Sequence, residues 1–320
     1  MDWSFLIKDK EALCVTTDSR KVTPGCIFVA LKGEHFDGNN FVDQARRDGA
    51  SFVISGENAL AELQDLARAW RRELGLPILG ITGTNGKTTT KELCAAVLST
   101  KYNLYYTQGN LNNQLGVPLT LLSMTRAHEM AIVEMGASHP GDIKELVEIA
   151  EPNCGLITNV GRAHLEGFGS FEGVMRTKAE LYDFLRAHGG FCFRNADNPY
   201  LAQMAGDLKT VAYTTGTMPE GTHLVGGYNA ENVSAALCVG AYFGVVAEHV
   251  RLRHGLAVVE VVDVLHLRAG EELEALLHLR DGPVEREDHL LVVGDDRHDE
   301  VGQLLVRCEL DALRVDHDQL

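Results

Sequence analysis

The sequence predicts an α/β protein: a small N-terminal α/β unit, a larger mostly parallel sheet with helices on both faces, and an aberrant C-terminal segment. Three observations predict it. From Leu76, apolar runs of four to six residues alternate with helical stretches, the pattern of parallel strands buried on both faces and joined by crossover helices. A shorter version of the same rhythm precedes it. From Gly244 the residue usage changes abruptly. A chain of 320 residues holds two or three domains with real cores, placed here at residues 1–75, 76–243 and 244–320.

In the first unit, Cys26–Leu31 (CIFVAL) is a strand after the turn-forming Pro24-Gly25. Phe41–Ser55 reads as a helix, a glycine stop at Gly49 and a strand. Ala59–Leu74 has helical spacing without a breaker, ends at Gly75, and Pro77 opens the next unit. There the strands are Pro77–Thr82, Met130–Gly136, Cys154–Val160 and Gly189–Asn195. The helices between them are Lys87–Tyr102, Gly141–Pro152 and Val174–Gly189. In such sheets ligands sit beyond the carboxyl ends of the strands.

Composition narrows the partners. The formal net charge of −16 argues against nucleic acid and membrane surfaces, which call for basic patches. No apolar run approaches the ~18–20 residues of a membrane span. Seven cysteines, scattered without a CxxC pair, read as reduced thiols of a cytoplasmic protein.

An acidic chain can still hold an anion by a local device. Gly80–Glu92 (GITGTNGKTTTKE) follows an apolar run and opens a helix. A glycine-rich strand-to-helix turn exposes backbone N–H groups where phosphate binds well. Gly83, Thr84, Asn85, Gly86, Lys87, Thr88 and Thr89 would form that cradle, with Lys87 on the terminal phosphates and the Thr88 hydroxyl on Mg²⁺. The general spacing asks for glycine where Ile81 stands, and the plainer alternative is a glycine turn capped by threonine. Glu134 ends the next strand, where a second Mg²⁺ ligand belongs. His164 follows the strand after that, and Lys178 lies on a helix; alone, each reads as a capping or surface residue. Thr107–Leu122 (TQGNLNNQLGVPLTLL) sets three asparagines and a glutamine before an apolar run. Such amides suit phosphate or peptide hydrogen bonds, and equally local turn capping.

Together these motifs resemble the Mur ligase family: GTNGKTT, GNLNNQLGVPLTLL, VEMGASHPGDI, ITNVGRAHLEGFGS, TKAEL, NADNP and YNAENVSAALCVGAYFGV appear in that family's order. The stretch DSRKVTPGCIFVALKGEHFDGNNF resembles the family's uridine-nucleotide domain, and the likeness runs from about Thr16 to Val245. The resemblance implies a cytoplasmic, ATP-dependent amide ligase of peptidoglycan precursor synthesis. It would add D-alanyl-D-alanine to UDP-N-acetylmuramoyl-tripeptide through an acyl phosphate, using ATP and two Mg²⁺ ions. It further implies Thr88 and Glu134 on the first Mg²⁺, His164 on a second, and Lys178 as a carbamylated metal ligand. Asn229 and Asn232 would lie near adenine, Ser19 and Arg20 near uridine diphosphate, and Asn110 and Asn113 near substrate. A nucleotide-binding remnant without activity and a folylpolyglutamate-synthetase-like ligase are the rival readings.

The chain departs from the family twice. It is short between Tyr213 and His223, and nothing like the family's third-domain AYNANP segment follows Val245. From Gly244 to Leu320 every residue but Cys308 is Val, Ala, Gly, Asp, Glu, Leu, His, Arg, Pro or Gln. Those ten types are the ones whose codons can begin with G or C. The pattern predicts a tail read out of frame or from the opposite strand, and with it poor turnover alongside retained ATP binding. A divergent domain from a GC-rich genome is the alternative, though it would lack the aromatic residues and the β-branched Ile and Thr that dense cores use.

Overall fold

The computed structural model describes residues 2–162, 165–216, 228–245, 251–254 and 257–260. The expectations for His164, for most of the shortened stretch, and for nearly all of the tail lie outside these residues.

The N-terminal unit is a three-stranded parallel sheet in the order β1 (Val15–Thr16), β2 (Ile27–Val29), β3 (Phe52–Ile54). Helix α1 (Ser4–Ile7) precedes it and α2 (Val42–Arg47) crosses from β2 to β3. The register pairs Val15 with Ile27, which sets Cys14 beside Cys26, and the two are disulfide-bonded with Cα atoms 4.6 Å apart. This corrects the expectation that every cysteine is a separate thiol: neighbouring strands bring together residues twelve apart in sequence, which spacing alone does not reveal.

Helix α3 (Ala59–Leu74) stops at Gly75, whose φ of +63° suits glycine. Its apolar stripe buries Leu63, Leu66, Ala67 and Trp70, and the Trp70 indole donates to the Met124 carbonyl at 3.0 Å. Its polar edge faces a helix of the next unit. Gln64 donates to Glu145 (2.9 Å), Arg68 to the Glu148 carbonyl (2.8 Å), and Arg71 to the carbonyls of Ala150 (3.1 Å) and Glu151 (2.9 Å).

The central sheet has six parallel strands in the order β5 (Leu104–Tyr106), β6 (Met130–Glu134), β4 (Ile78–Thr82), β7 (Cys154–Ile157), β8 (Phe191–Asn195), β9 (Thr210–Tyr213). The inner strands β4, β6 and β7 are buried throughout, as their unbroken apolar runs require. Helices α4 (Lys87–Leu98) and α10 (Tyr228–Tyr242) pack on one face. The other is covered by α3 with α5 (Gly116–Leu122), α6 (Asp142–Ala150), α8 (Phe171–Ala187) and α9 (Pro199–Ala205); short α7 (Leu165–Phe168) leads into α8. The chain leaves β4 for the edge at β5, returns to β6 beside β4, then continues on the far side at β7. The reversal opens a crevice at the carboxyl ends of β6, β4 and β7. The predicted helix Lys87–Tyr102 ends at Leu98, leaving room for β5. Beyond Val245 the described backbone forms one antiparallel pair, β10 (Arg251–His254) with β11 (Ala257–Glu260).

Candidate nucleotide site

The glycine turn lies at the head of that crevice, between β4 and α4. Gly83 has φ +145° and Gly86 φ +77°. A Cβ on Gly83 would stand 2.0 Å from Thr158 Oγ1, and one on Gly86 2.6 Å from Asn232 Oδ1, so both positions call for glycine by conformation and by space. The segment after β7 braces the turn. Thr84 N donates to the Asn159 carbonyl (3.0 Å), Asn85 N to Asn159 Oδ1 (3.0 Å), and Thr158 Oγ1 to the Asn85 carbonyl (2.6 Å). Neither Thr158 nor Asn159 was singled out from sequence.

Lys87 opens α4 and folds back over the turn, donating to the carbonyls of Gly83 (2.9 Å) and Thr84 (3.1 Å). Burial pushes its pKa down, with Glu134 opposing the shift. Thr88 Oγ1 donates to Glu134 Oε1 at 3.3 Å, and Asn112 Nδ2 donates to the same oxygen at 2.8 Å. Glu134 is 1% exposed, yet among the described residues its other oxygen, Oε2, has no hydrogen-bond partner. Among the described residues, the Lys91 ammonium lies within ion-pair distance of it, at 3.8 Å, beyond hydrogen-bond range. Thr89 lies on the first turn of α4, half-buried.

Lys178, on α8, is 2% exposed with its ammonium 5.7 Å from the Phe168 ring centroid. Among the described residues no carboxylate lies within ion-pair distance of it. Burial, with the Lys87 charge adding to it, lowers its pKa to about 8. Glu180, on the same helix, instead caps α6, accepting from Gly141 N (2.9 Å) and Lys144 N (2.7 Å).

Other expected site residues have local partners. Asn232 Oδ1 accepts from Thr90 Oγ1 (3.1 Å), and its Nδ2 donates to Asn229 Oδ1 (3.1 Å), tying α10 to α4 beneath the glycine turn. Asn113 Oδ1 accepts from Leu115 N (3.2 Å) and Gly116 N (2.8 Å), the capping alternative, while Asn110 is exposed. Ser19 and Arg20 form a short turn after β1, where Arg20 reaches back to Asp18 at 2.8 Å. The structure thus brings Lys87, Thr88 and Glu134 together, and adds Asn112.

A buried parallel sheet, a glycine turn at its reversal point, and a strand-end carboxylate facing the turn's threonine define a phosphate-loop α/β protein. Residues 81–222 match the Mur ligase middle domain, and residues 13–96 the Mur ligase family catalytic domain. The chain belongs to the Mur ligase family. It is 38% identical over 273 residues to the UDP-N-acetylmuramoyl-tripeptide--D-alanyl-D-alanine ligase of Bacillus subtilis (strain 168), covering 73% of this chain and 59% of that protein. The ligase of the same name from Escherichia coli (strain K12) is 43% identical over 196 residues, covering 58% of this chain and 43% of that one. The crystal structure of MurF ligase from Thermotoga maritima in complex with ADP superposes with a TM-score of 0.67 at 30% identity, covering 75% of this chain and 65% of that one. The chain therefore spans about three fifths or less of the length of these curated relatives.

Proposed function

We propose that the chain binds Mg-ATP at Gly83–Thr89 and serves an amide ligase reaction in which D-alanyl-D-alanine is joined to UDP-N-acetylmuramoyl-tripeptide. The observation that carries the reading is the contact between Thr88 and Glu134, with the second Glu134 oxygen buried beside it; among the described residues that oxygen has no hydrogen bond and only the Lys91 ammonium, 3.8 Å away, within ion-pair distance. A carboxylate so placed costs stability unless a cation or donor meets it, and a hard oxygen ligand beside a threonine hydroxyl suits Mg²⁺. Thr88 and Glu134 would hold that ion, which would neutralise charge on the nucleotide phosphates. Lys87 would give up its two loop carbonyls to the terminal phosphates, while the N–H groups of the turn hold the chain of phosphates in line. ATP would phosphorylate the tripeptide's terminal carboxylate, and the dipeptide amine would displace phosphate from the acyl phosphate. Positioning and charge neutralisation are the protein's share of such chemistry.

Lys178 fits the carbamate implied by the resemblance. A free amine adds to CO₂, forming the N–C bond and releasing one proton, and a lysine titrating near 8 supplies that amine at mild pH. Ser19 and Arg20 would meet the uridine diphosphate, with Asn110 on the substrate side. Asn113 and the Asn229–Asn232 pair would act mainly as supports, given their local bonds. The composition after Gly244 favours weak turnover by this chain with nucleotide binding retained. The same composition supports the rival reading of a nucleotide-binding remnant.

Calorimetry with Mg-ATP tests the site. Lys87→Ala should lose most of the affinity, and equal binding before and after the change would refute the assignment. Phosphate release with tripeptide nucleotide, D-alanyl-D-alanine and Mg-ATP tests the reaction. Turnover in the ordinary enzyme range of roughly 1–10³ s⁻¹ would show that residues after Gly244 act as a working domain.

A further inference from the structure

The helix that opens at the phosphate loop carries a second lysine one turn on. Lys91 is 0% exposed. A charged ammonium in a core is costly unless its partners are specific. Three oxygens surround Nζ: Glu92 Oε1 at 3.0 Å, the Gly109 carbonyl at 3.5 Å and Glu134 Oε2 at 3.8 Å. The Tyr106 ring covers it, with its centroid 5.8 Å away. Glu92 is one-third exposed and alone could balance the charge at the protein surface. The ammonium instead points inward, to where β6 ends and the asparagine loop (residues 107–115) begins.

That loop is fastened along its length to Glu134, through backbone and side chain, and to Lys91. Glu134 N donates to Thr107 Oγ1 (3.0 Å), Lys91 bonds the Gly109 carbonyl, and Asn112 bonds Glu134 Oε1. We propose that Lys91 is a positioning residue that holds Glu134 and the Gly109 carbonyl in register, so that the phosphate loop and the asparagine loop are set as one unit. Occupancy at Thr88 and Glu134 then stiffens residues 107–115, which carry Asn110 and Asn112 toward whatever the nucleotide reacts with. The coupling rests on the nucleotide reading above; the fastening of the loop does not.

The test compares Lys91→Met, which keeps the packing volume, with Lys91→Arg, which keeps the charge. Filling the core is a matter of volume, so a purely structural lysine predicts that Met outperforms Arg in every respect. Positioning predicts a split. Thermal stability should favour Met, while Mg-ADP affinity by calorimetry should fall at least tenfold in Met and less in Arg. Without any nucleotide, amide exchange over residues 107–115 should quicken at least tenfold in Lys91→Met. Unchanged exchange there overturns the proposal whatever the nucleotide result, and unchanged Mg-ADP affinity in a folded Lys91→Met overturns the coupling. If the unmodified chain binds no Mg-ADP, the nucleotide reading fails and the exchange arm still decides the role of Lys91. Should Lys91→Met not fold, Lys91→Gln keeps a polar end on a shorter side chain and removes the charge that faces Glu134 and the Gly109 carbonyl. It should speed loop exchange about threefold, and no change would count against the proposal.

Discussion

Single side chains decide the chemistry of this crevice, and Lys178 shows how. In the unfolded chain it titrates at the ordinary 10.5, in the fold at about 8. Between those values the unfolded state binds more protons, so stability rises with pH across that window and the penalty is complete below pH 8. The shift corresponds to about 3 kcal/mol. Lys178→Met should therefore melt several degrees above the parent at pH 7 in CO₂-free buffer, with the margin closing toward pH 10.5. Equal melting points at pH 7 would refute the buried charge. Added bicarbonate should stabilise the parent and leave the Met variant unmoved. Glu134 gives a companion test: Glu134→Gln removes the anion but keeps an amide for Thr88 and Asn112. Mg²⁺ should then strengthen nucleotide binding at least tenfold less than in the parent, measured by titrations with and without the metal. Lys87, Thr88 and Glu134 were legible because a glycine turn and a strand end mark their places. Lys91 was not, since a lysine in KTTTKEL reads as solvent-facing until packing turns it inward, and Asn112 stood among three asparagines from which only packing singles it out.

At the scale of elements, the same division has a physical cause. In the central sheet, the four strands found from sequence include β4, β6 and β7, whose residues are covered on both faces and so must be apolar without interruption. The two strands of that sheet that escaped, β5 and β9, are its edges. Edge strands are half-covered, and LYY or TVAY carries no unbroken apolar signal. The Cys14–Cys26 bond escaped for a related reason, being a product of strand pairing and not of spacing. The join between α4 and α10 is equally invisible in sequence and makes a direct prediction. Asn232→Ala leaves the Thr90 hydroxyl buried without its acceptor, at a cost of about 1–3 kcal/mol. Gly86→Ala should cost a similar ~1–3 kcal/mol through its positive φ. Pairing it with Asn232→Ala should recover part of that loss, because the Asn232 amide is what the new methyl would strike. Chemical denaturation of the two single variants and the double variant gives the coupling, and strictly additive losses would refute the clash.

For the molecule as a whole, the edge between the N-terminal and central sheets is not where the chain suggests. The helix that closes the first unit in sequence gives its polar side to the second, through Gln64, Arg68 and Arg71. The Trp70 indole and the bond from Arg71 to Asn153 Oδ1 at 2.9 Å extend the same seam. Residues up to Val245 should accordingly unfold in one transition. Calorimetric scans showing two separated peaks in that region would contradict it. The connection at Gly75 is then only a tether. If a protease site were inserted between Gly75 and Leu76 and cleaved, the severed pieces should leave a sizing column together, held like two boards whose nail has been drawn after the glue has set.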